Sequence, residues 1–376
     1  MSSPGRSPGP VSPEPPILVP AETVRAQITA VLTSWGMEPG LIRTTAEVMV
    51  ETDLAGVDSH GVSMLMDYDA SRQSGKLNLQ ARPRVVRENP VTALLDADAG
   101  LGHPASVMAM QLAMKKAKAA GVGVVAVRNS HHFGAAGYYA SLASAEGLVG
   151  LVTSATRTIS MVPTRARKAL LGTNPIAFSA PAARNRAFRL DMATTTTAAN
   201  KVRVYGLNGR TLPEGWAVDG AGNPVRDPEE ARRIIRSSEE GGLTPLGGKP
   251  ETASHKGYGL AMMVHILGGV LSGASFSPLR VRTQRPEDPD NLGHFFLALD
   301  PDAFRDKGEF EADLDEVVDV LHAAPPVDPA LPVLVPGDPE AASRERRLRE
   351  GIPIPRSLAA QLRAVCLGCG APYLLE

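Results

Sequence analysis

The sequence predicts a mixed α/β protein. Two observations indicate this class, and a third argues against one of its common forms. An apolar run over residues 122–127 is typical of a buried strand, and residues 135–145, after a short turn, have the pattern of a helix. Further strand and helix candidates alternate along most of the 376 residues, a length that can bury a core of two or more subdomains. No G-x-G-x-x-G motif follows a strand, so a bound dinucleotide would not be held by a Rossmann fingerprint.

The N-terminal region is predicted to be mainly helical. Apolar spacing indicates helices over 21–35, 41–56 and 64–74. Pro20 and Gly36 flank the first of them as start and stop signals. Strand character follows over 84–96. The next segment is predicted to be a helix over 104–120, with Lys115, Lys116 and Lys118 exposed.

The rest of the chain continues the alternation. Strands are predicted over 122–127, 148–153, 173–180, 188–193 and 292–299. Helices are predicted over 135–145, 258–271, 314–321 and 339–350. Between them, 208–249 is rich in Gly, Pro and charge, which indicates loops with a short helix near 228–237.

Composition excludes several classes of protein. The net charge is −1 and no long block of Lys or Arg occurs, which argues against a nucleic-acid partner. The longest apolar stretch, 260–271, is too short for a membrane span, and the N-terminus lacks the apolar region of a secretory signal. Two cysteines, Cys366 and Cys369, cannot close a tetrahedral zinc site alone and are expected to be structural or incidental. We therefore expect a cytoplasmic protein.

Three histidine motifs are the candidates for chemistry: Asp58-Ser59-His60-Gly61, Asn129-Ser130-His131-His132-Phe133-Gly134 and His255-Lys256-Gly257. The second lies on a turn at a strand end, where α/β enzymes commonly place catalytic groups. Taken singly, the first motif also fits a capping turn with a hydrogen-bonded His. No ligand spacing indicates a metal, and the side chains of the adjacent His131 and His132 would diverge.

The third motif is expected to open a helix, with Ser254 as a plausible N-cap. A Lys and free backbone N–H groups at a helix start form an anion site, although ordinary capping explains the pattern equally well. Asp191, at the end of a predicted strand, could be a turn former.

Together these segments resemble the type 2 malate/lactate dehydrogenase family of NAD(P)-dependent oxidoreductases over roughly residues 20–357. The matching segments are Asp58–Val62, Asn129–Ala140, Leu171–Pro175, Leu190–Thr194, Pro213–Ala217, His255–Ala261, Asn291–Phe296 and Gly351-Ile352. The resemblance implies a non-Rossmann dinucleotide-binding domain with a mixed, largely antiparallel sheet, plus a helical domain. It also implies a homodimer or larger homo-oligomer, with active sites near the subunit interface.

The resemblance divides the chain into four segments. A disordered tail is expected over 1–19, because its first residues are rich in Ser, Pro and Gly. An N-terminal helical part is expected over 20–95 and a cofactor-binding and catalytic domain over 96–300. A C-terminal helical part over 301–376 is expected to complete the first of these domains.

The resemblance also assigns residues to roles. His60 corresponds to the general acid–base, and Ser59 would orient it or bind substrate. His132 corresponds to a residue beside the nicotinamide that some members use as a proton acceptor. The cofactor, NAD or NADP, would further contact Thr156, Asp191, Met192, Ala193, Lys256, Gly257, Gly337, Asp338 and Pro339.

One position departs from the family pattern. Many members have, four residues after the His60 position, an Arg that binds the substrate carboxylate, and this chain has Met64. Either another arginine, such as Arg157 or Arg203, replaces it or the substrate differs. The expected reaction is hydride transfer between nicotinamide and a small 2-hydroxy or 2-oxo acid. A cyclic imino acid reductase, a ureidoglycolate-type dehydrogenase and a nucleotide-binding protein without catalysis remain alternatives.

Overall fold

The computed structural model describes residues 15–207, 209–237, 239–285 and 287–376. Most of the tail predicted over 1–19 lies outside these residues. The prediction is wrong at its end, because Ile17–Val19 form strand β1. This strand pairs antiparallel with β11, Ile352–Ile354. The partner is more than three hundred residues away, so no local pattern could indicate the pairing.

A seven-stranded sheet forms the centre of the molecule. Its strands, in spatial order, are β2 (Arg84–Glu88), β3 (Thr92–Asp96), β4 (Val122–Ser130), β10 (Leu292–Leu299), β5 (Val149–Ala155), β6 (Ile176–Ala180) and β7 (Phe188–Met192). The β3–β4 pair is parallel and the other five pairs are antiparallel. The expectation of a mixed, largely antiparallel sheet is confirmed. Two shorter strands, β8 (Ala217–Val218) and β9 (Gly242–Leu243), pair separately.

Helices cover both faces of this sheet, and glycines allow their close approach. A Cβ at Gly123 of β4 would lie 1.9 Å from the Ala113 carbonyl oxygen of helix α4 (Gly102–Ala120), and one at Gly150 would lie 2.6 Å from the Ala140 carbonyl oxygen of α5 (Ala136–Ser144). On the opposite face, a Cβ at Gly293 would lie 1.9 Å from the Gly268 carbonyl oxygen. Gly268 belongs to a π-helical segment, Ile266–Val270, that continues α8 (Ser254–His265).

The two ends of the chain share a second apolar core. Helices α1 (Ala21–Ser34), α2 (Pro39–Leu54) and α3 (Leu65–Gln73) lie close to their predicted bounds. They pack with α12 (Arg356–Cys369) in one cluster that contains Val24, Leu32, Leu362, Val365 and Cys366. The cysteines are free, and Gln27 Nε2 lies 3.1 Å from the buried Cys366 Sγ.

The remaining helices surround these cores. They are α6 (Ala199–Leu207), α7 (Pro228–Ser237), α9 (Ser277–Thr283), α10 (Glu309–His322) and α11 (Asp338–Glu350). Helix α7 has the predicted bounds, whereas α6, α9 and α12 were not predicted. Within the described part of the chain, no helix is long and apolar enough to cross a membrane.

Lys116 of α4 is buried, which corrects the prediction that it is exposed. Its stem passes over the sheet where β4 has Gly123, whose missing side chain leaves the room. The ammonium then reaches Glu88 Oε1 at 2.8 Å and the Asn89 carbonyl oxygen at 2.7 Å. A long side chain can bury its aliphatic stem and still pair its charge. Helical periodicity alone therefore predicts the exposure of such a lysine wrongly.

Candidate active site

His60 lies in the loop between α2 and a short 3₁₀ turn, Val62–Met64. Ser59 Oγ is 2.7 Å from its Nδ1, so Ser59 can hold the orientation of the ring. Burial lowers the pKa of His60. The imidazole is therefore neutral at pH 7 and can accept a proton through the ring nitrogen that Ser59 leaves free.

Asp53, near the end of α2, fixes the other side of this loop. Its Oδ2 accepts a hydrogen bond from the Val62 backbone N–H at 2.8 Å. A Cβ at residue 61 would lie 1.9 Å from Asp53 Oδ1, so only glycine fits there. Burial raises the pKa of Asp53 to about 8. The Gly of the first histidine motif is thus explained by the carboxyl group that passes beneath it.

His132 follows the end of β4 and lies beside His60, with 5.3 Å between the ring centroids. Its Nδ1 is 2.8 Å from the hydroxyl of Tyr68 on α3 and 3.3 Å from the Gly134 backbone nitrogen. Burial, followed by the neighbouring imidazoles, lowers the pKa of His132 well below its usual value. The structure therefore brings together two histidines that are seventy-two residues apart in sequence.

These contacts assign the tautomer of His132. The Gly134 N–H donates to Nδ1, so Nδ1 is the acceptor and the ring proton is on Nε2. The Tyr68 hydroxyl then also donates to Nδ1, and its oxygen can accept from His103 Nε2 at 3.4 Å. His132 consequently offers an N–H donor to the site rather than a basic lone pair.

Tyr68 was not predicted as a site residue. The available signal was its place on the helix after the first histidine motif, four residues beyond Met64 and thus on the same face. An aromatic residue with that spacing is usually part of a core, and Tyr68 is indeed buried against the N-terminal cluster. Only the arrangement of α3 against the His132 turn identifies its hydroxyl as a contact of the imidazole.

The other imidazoles near this turn have structural partners. His131 points away from His132, as expected for neighbours: its Nδ1 is 3.3 Å from Asp290 Oδ2 and its Nε2 is 2.9 Å from the Lys76 carbonyl oxygen. His294 of β10 stacks on Phe133, with ring centroids 4.4 Å apart, and burial lowers its pKa to about 3. These contacts fix the backbone on which His132 is mounted.

Asp191 lies within β7 and is not a turn former. Its Oδ2 accepts a hydrogen bond of 2.7 Å from the Gly137 N–H at the start of α5, and burial raises its pKa to about 6. Met192, the last residue of β7, and Ala193, directly after it, are half-buried. Strand β7, which is expected to contact the cofactor, therefore lies beside α5, the helix that follows His132.

The loop with Gly337, Asp338 and Pro339 runs along the same strand. The Arg189 N–H donates to the Pro336 carbonyl oxygen at 3.0 Å, and Gly337 has a φ of +110° that favours glycine. The Asp338 carboxylate binds the Val335 N–H and His322 Nε2, both at 2.8 Å. Both contacts are made by Oδ2, so this oxygen of Asp338 shapes the loop.

Thr156 lies at the end of β5, close to α8. Its Oγ1 donates to Asn174 Oδ1 at 3.1 Å, and Asn174 Nδ2 donates to the Ala261 carbonyl oxygen of α8 at 3.0 Å. The residue after Ala193, Thr194, accepts a hydrogen bond from the Leu246 N–H at 2.9 Å. These contacts link Thr156 through Asn174 to α8, and the residues after β7 to the segment that precedes α8.

Lys256 is the third residue of α8 and is exposed. Among the described residues no carboxylate pairs with it. The N-cap is Ala253, in the left-handed region, so the prediction for Ser254 is wrong: Ser254 lies inside the helix and its hydroxyl is 3.0 Å from Thr164 Oγ1. The chain turns through a 3₁₀ segment, Pro250–Thr252, before α8, and the helix then begins after Ala253 without a side-chain cap.

Two unpaired donors fit an anionic group at this surface. Lys256 is one, and Arg189 Nε is the other, since this buried atom has no hydrogen-bond partner among the residues described. Cationic and N–H donors of this kind bind phosphate oxygens. Both kinds of donor would suit the phosphates of a dinucleotide. In the described ranges, no group of three His, Cys, Asp or Glu side chains is arranged to hold a metal ion.

Met64 is half-buried and packs against the N-terminal core. Of the two arginines considered as substitutes, Arg157 pairs with Asp290 at 3.0 Å and its side chain is 45% exposed. Arg203 is exposed on α6. Neither contacts His60 or His132 in the structure.

Known proteins are similar to almost the entire chain. The model of the malate/L-lactate dehydrogenase family matches residues 19–363. A malate dehydrogenase of Pyrococcus horikoshii is 38% identical over 95% of this chain and 97% of its own length. An L-sulfolactate dehydrogenase of Methanocaldococcus jannaschii is 35% identical over 93% of this chain and 96% of its own.

The same relation holds among solved structures. The crystal structure of a malate dehydrogenase from Entamoeba histolytica superposes with a TM-score of 0.88 at 30% identity, covering 94% of this chain and 98% of that one. The chain therefore belongs to the malate/L-lactate dehydrogenase family of oxidoreductases.

Proposed function

We propose that this enzyme transfers a hydride between a nicotinamide dinucleotide and a small 2-hydroxy or 2-oxo acid, with His60 as the general acid–base. The observation that carries the proposal is the pair of neutral imidazoles with 5.3 Å between their centroids, one held by Ser59 and the other by Tyr68. The family supports a dehydrogenase that acts on a hydroxy acid.

The bound nicotinamide would accept or supply the hydride, and the protein's own residues would handle the proton. In oxidation, Ser59 Oγ would accept a hydrogen bond from the Nδ1–H of His60, and the unprotonated Nε2 would take the proton of the substrate hydroxyl. In reduction, protonated His60 returns a proton to the carbonyl oxygen. His132, with its proton on Nε2, would donate a hydrogen bond and would not act as the base.

We further propose that the cofactor binds along the surface formed by Thr156, Asp191–Ala193, the start of α8 and the loop at Gly337. The contacts between these segments and the unpaired donors of Arg189 and Lys256 support this assignment. We expect Lys256→Ala to weaken NADH or NADPH affinity more than it lowers kcat, because a phosphate loses a cationic partner. Titration calorimetry with each cofactor tests this, with Lys115→Ala on α4 as the matched control. Equal affinities in both variants would contradict the assignment.

The substrate class is tested by NAD(P)H oxidation with pyruvate, oxaloacetate, sulfopyruvate and a cyclic imino acid. We expect turnover of a 2-oxo acid and a loss of about 10²–10⁴-fold in His60→Ala, the range for general acid–base catalysis. Unchanged turnover in this variant would refute the role of His60. Turnover of the cyclic imine alone would favour the imino acid reductase, because an iminium already carries its proton and needs His60 less.

A variant at Met64 tests the size and charge of the substrate. Met64→Arg should raise activity on simple 2-oxo acids, or leave it unchanged, if no other arginine holds the carboxylate. If Met64→Arg abolishes activity, the pocket is shaped for an apolar group. The preferred substrate is then bulkier or less anionic than malate or lactate.

We also propose a homodimer that forms through α8, the π segment and α9. Met263, Ile266, Val270, Leu271 and Leu279 are between 38% and 65% exposed there and form an apolar stripe of the kind that marks interfaces. Ile266→Asp should lower the mass measured by light scattering to that of a monomer. Val320→Asp, at an exposed position of α10, serves as the control. An unchanged mass in Ile266→Asp would exclude this face.

A further inference from the structure

Arg347 of α11 connects a distant part of the chain to the loop that carries His60. It is only 7% exposed, and its Nη1 donates to the Asp53 carbonyl oxygen at 2.6 Å. Both terminal nitrogens also bind the Asp58 carboxylate, Nη2 to Oδ2 at 3.2 Å and Nη1 to Oδ1 more closely. One guanidinium thus holds the end of α2 and the residue directly before Ser59.

Asp58 has a second attachment, which makes the loop rigid on both sides of His60. Ser63 Oγ donates to the Asp58 carbonyl oxygen at 2.6 Å, and the Val62 N–H is bound by Asp53. Ser59 and His60 lie between these fixed points. Because the Ser59–His60 hydrogen bond depends on the backbone at Asp58, a shift of Asp58 would move the imidazole.

Helix α11 is itself held against α2 close to this loop. Arg344 forms two hydrogen bonds with Glu51, at 2.8 and 3.1 Å. Gly56, with a φ of +85°, approaches Ser343 so closely that a Cβ there would lie 2.8 Å from the Ser343 hydroxyl oxygen. The helix therefore holds Arg347 at a fixed position relative to the His60 loop. A bidentate Arg–carboxylate pair also fixes the orientation of the carboxylate, in addition to attracting it.

We propose that Arg347 is a positioning residue for the reaction: it fixes Asp58 so that Ser59 remains on Nδ1 of His60 and the opposite ring nitrogen faces the substrate. This inference rests on the proposed function of His60. Arg347 acts through Asp58 and the loop and has no contact with either imidazole.

The test compares Arg347→Met with Arg349→Met, a control that removes an exposed arginine of the same helix. We expect Arg347→Met to lower kcat by about ten- to a hundred-fold, because small misplacements of a catalytic group have effects of this size. The cofactor KM should stay within about twofold, since the variant alters no cofactor contact. The pH at which kcat for oxidation is half-maximal should also shift. Arg349→Met should retain the wild-type kcat and pH profile.

Two further measurements separate positioning from simple stabilisation. Arg347→Lys should recover only part of kcat, because an ammonium cannot bind a carboxylate through a planar fork. Asp58→Asn should lower kcat similarly, and the double variant should be no worse than either single one. If Arg347→Met does not fold, Asp58→Asn and the NMR titration of the His60 ring in Arg347→Lys carry the test. A wild-type kcat and His60 titration in the folded Arg347 variants would overturn the inference. Wild-type turnover in His60→Ala would instead refute the proposed role of His60, on which this inference rests.

Discussion

At the scale of single residues, the site depends on how burial and hydrogen bonds set two neighbouring imidazoles. His60 and His132 both have lowered pKa values, yet their hydrogen bonds differ. The Nδ1 of His60 meets a hydroxyl that can donate or accept, whereas the Nδ1 of His132 meets a backbone N–H that can only donate. The two rings therefore have different tasks although they are the same residue type.

This difference predicts a pH dependence that reverses with the direction of the reaction. Burial lowers the pKa of His60 from its ordinary value, so kcat for oxidation should rise as the pH rises through that lowered pKa and the base becomes neutral. For reduction, kcat should fall over the same range, because the protonated acid disappears. Steady-state profiles in both directions test this, with substrate and cofactor saturating. Profiles that bend in the same direction would contradict the assignment of His60.

Sequence patterns indicated residues of this site only where a motif marked them. His60 and His132 stand in Gly- and Ser-rich motifs, and the structure brings them together. Tyr68 and Arg347 lie on ordinary helices, where their types are common at buried or charged positions. Their contacts arise from packing between segments, which a local pattern does not contain.

At the scale of elements, α8 shows how a site residue can also be a packing residue. Gly257 was expected to contact cofactor, but a Cβ there would lie 2.3 Å from both the backbone nitrogen and the carbonyl oxygen of Leu246. Gly259, two residues later in the same helix, has nothing within 4 Å of a Cβ. Glycine is therefore required at the first position by the backbone of a neighbouring segment and is free to change at the second.

We expect the two glycines to respond in opposite ways to alanine. Gly257→Ala should lower the free energy of unfolding by about 1–3 kcal/mol, because the new methyl group displaces a backbone. Gly259→Ala should raise it by about 0.5–1 kcal/mol, because glycine inside a helix is less favourable than alanine. Urea unfolding of both variants without cofactor measures the difference. If Gly257→Ala is as stable as the wild type but binds cofactor more weakly, Gly257 serves ligand binding and is not required for packing.

Element bounds could be predicted from sequence where the apolar period was strong. Strand β10 and helix α7 have their predicted bounds, because a continuous apolar run and an amphipathic segment define them. Helix α12 was missed although Leu362 and Val365 are buried in it. Its apolar face lies among Gly, Cys and Pro residues near the chain end, which weaken the local signal.

At the scale of the whole molecule, distant segments determine the architecture. Strand β10 lies between β4 and β5, which are consecutive in the chain, so the strand order differs from the sequence order. Local patterns predicted the strands themselves but contain no information on their order. The family resemblance supplied the antiparallel arrangement, and it did so through motifs rather than through periodicity.

The pairing of β1 with β11 gives a prediction for the stability of the whole chain. Val19 is 4% exposed and its neighbour Leu18 is 56% exposed. Val19→Ala should destabilise the protein by roughly 1–3 kcal/mol through lost burial and a cavity. Leu18→Ala should change stability by less than about 0.5 kcal/mol. Thermal unfolding of the two variants compares them directly, and equal midpoints would mean that this strand adds little to the fold.

The core shared by the two ends of the chain also sets an order of events during synthesis. Val24 and Leu32 need Leu362 and Val365 as neighbours, and these emerge from the ribosome last. The strands from β2 to β10 form a continuous stretch and can assemble earlier, since regions fold as they appear. Nascent chains stalled before Arg356 emerges should therefore protect the sheet from protease while α1 is still cleaved. After release of the full chain, α1 should also become protected from protease. The N-terminal helices are synthesised before the sheet, yet they should fold after it.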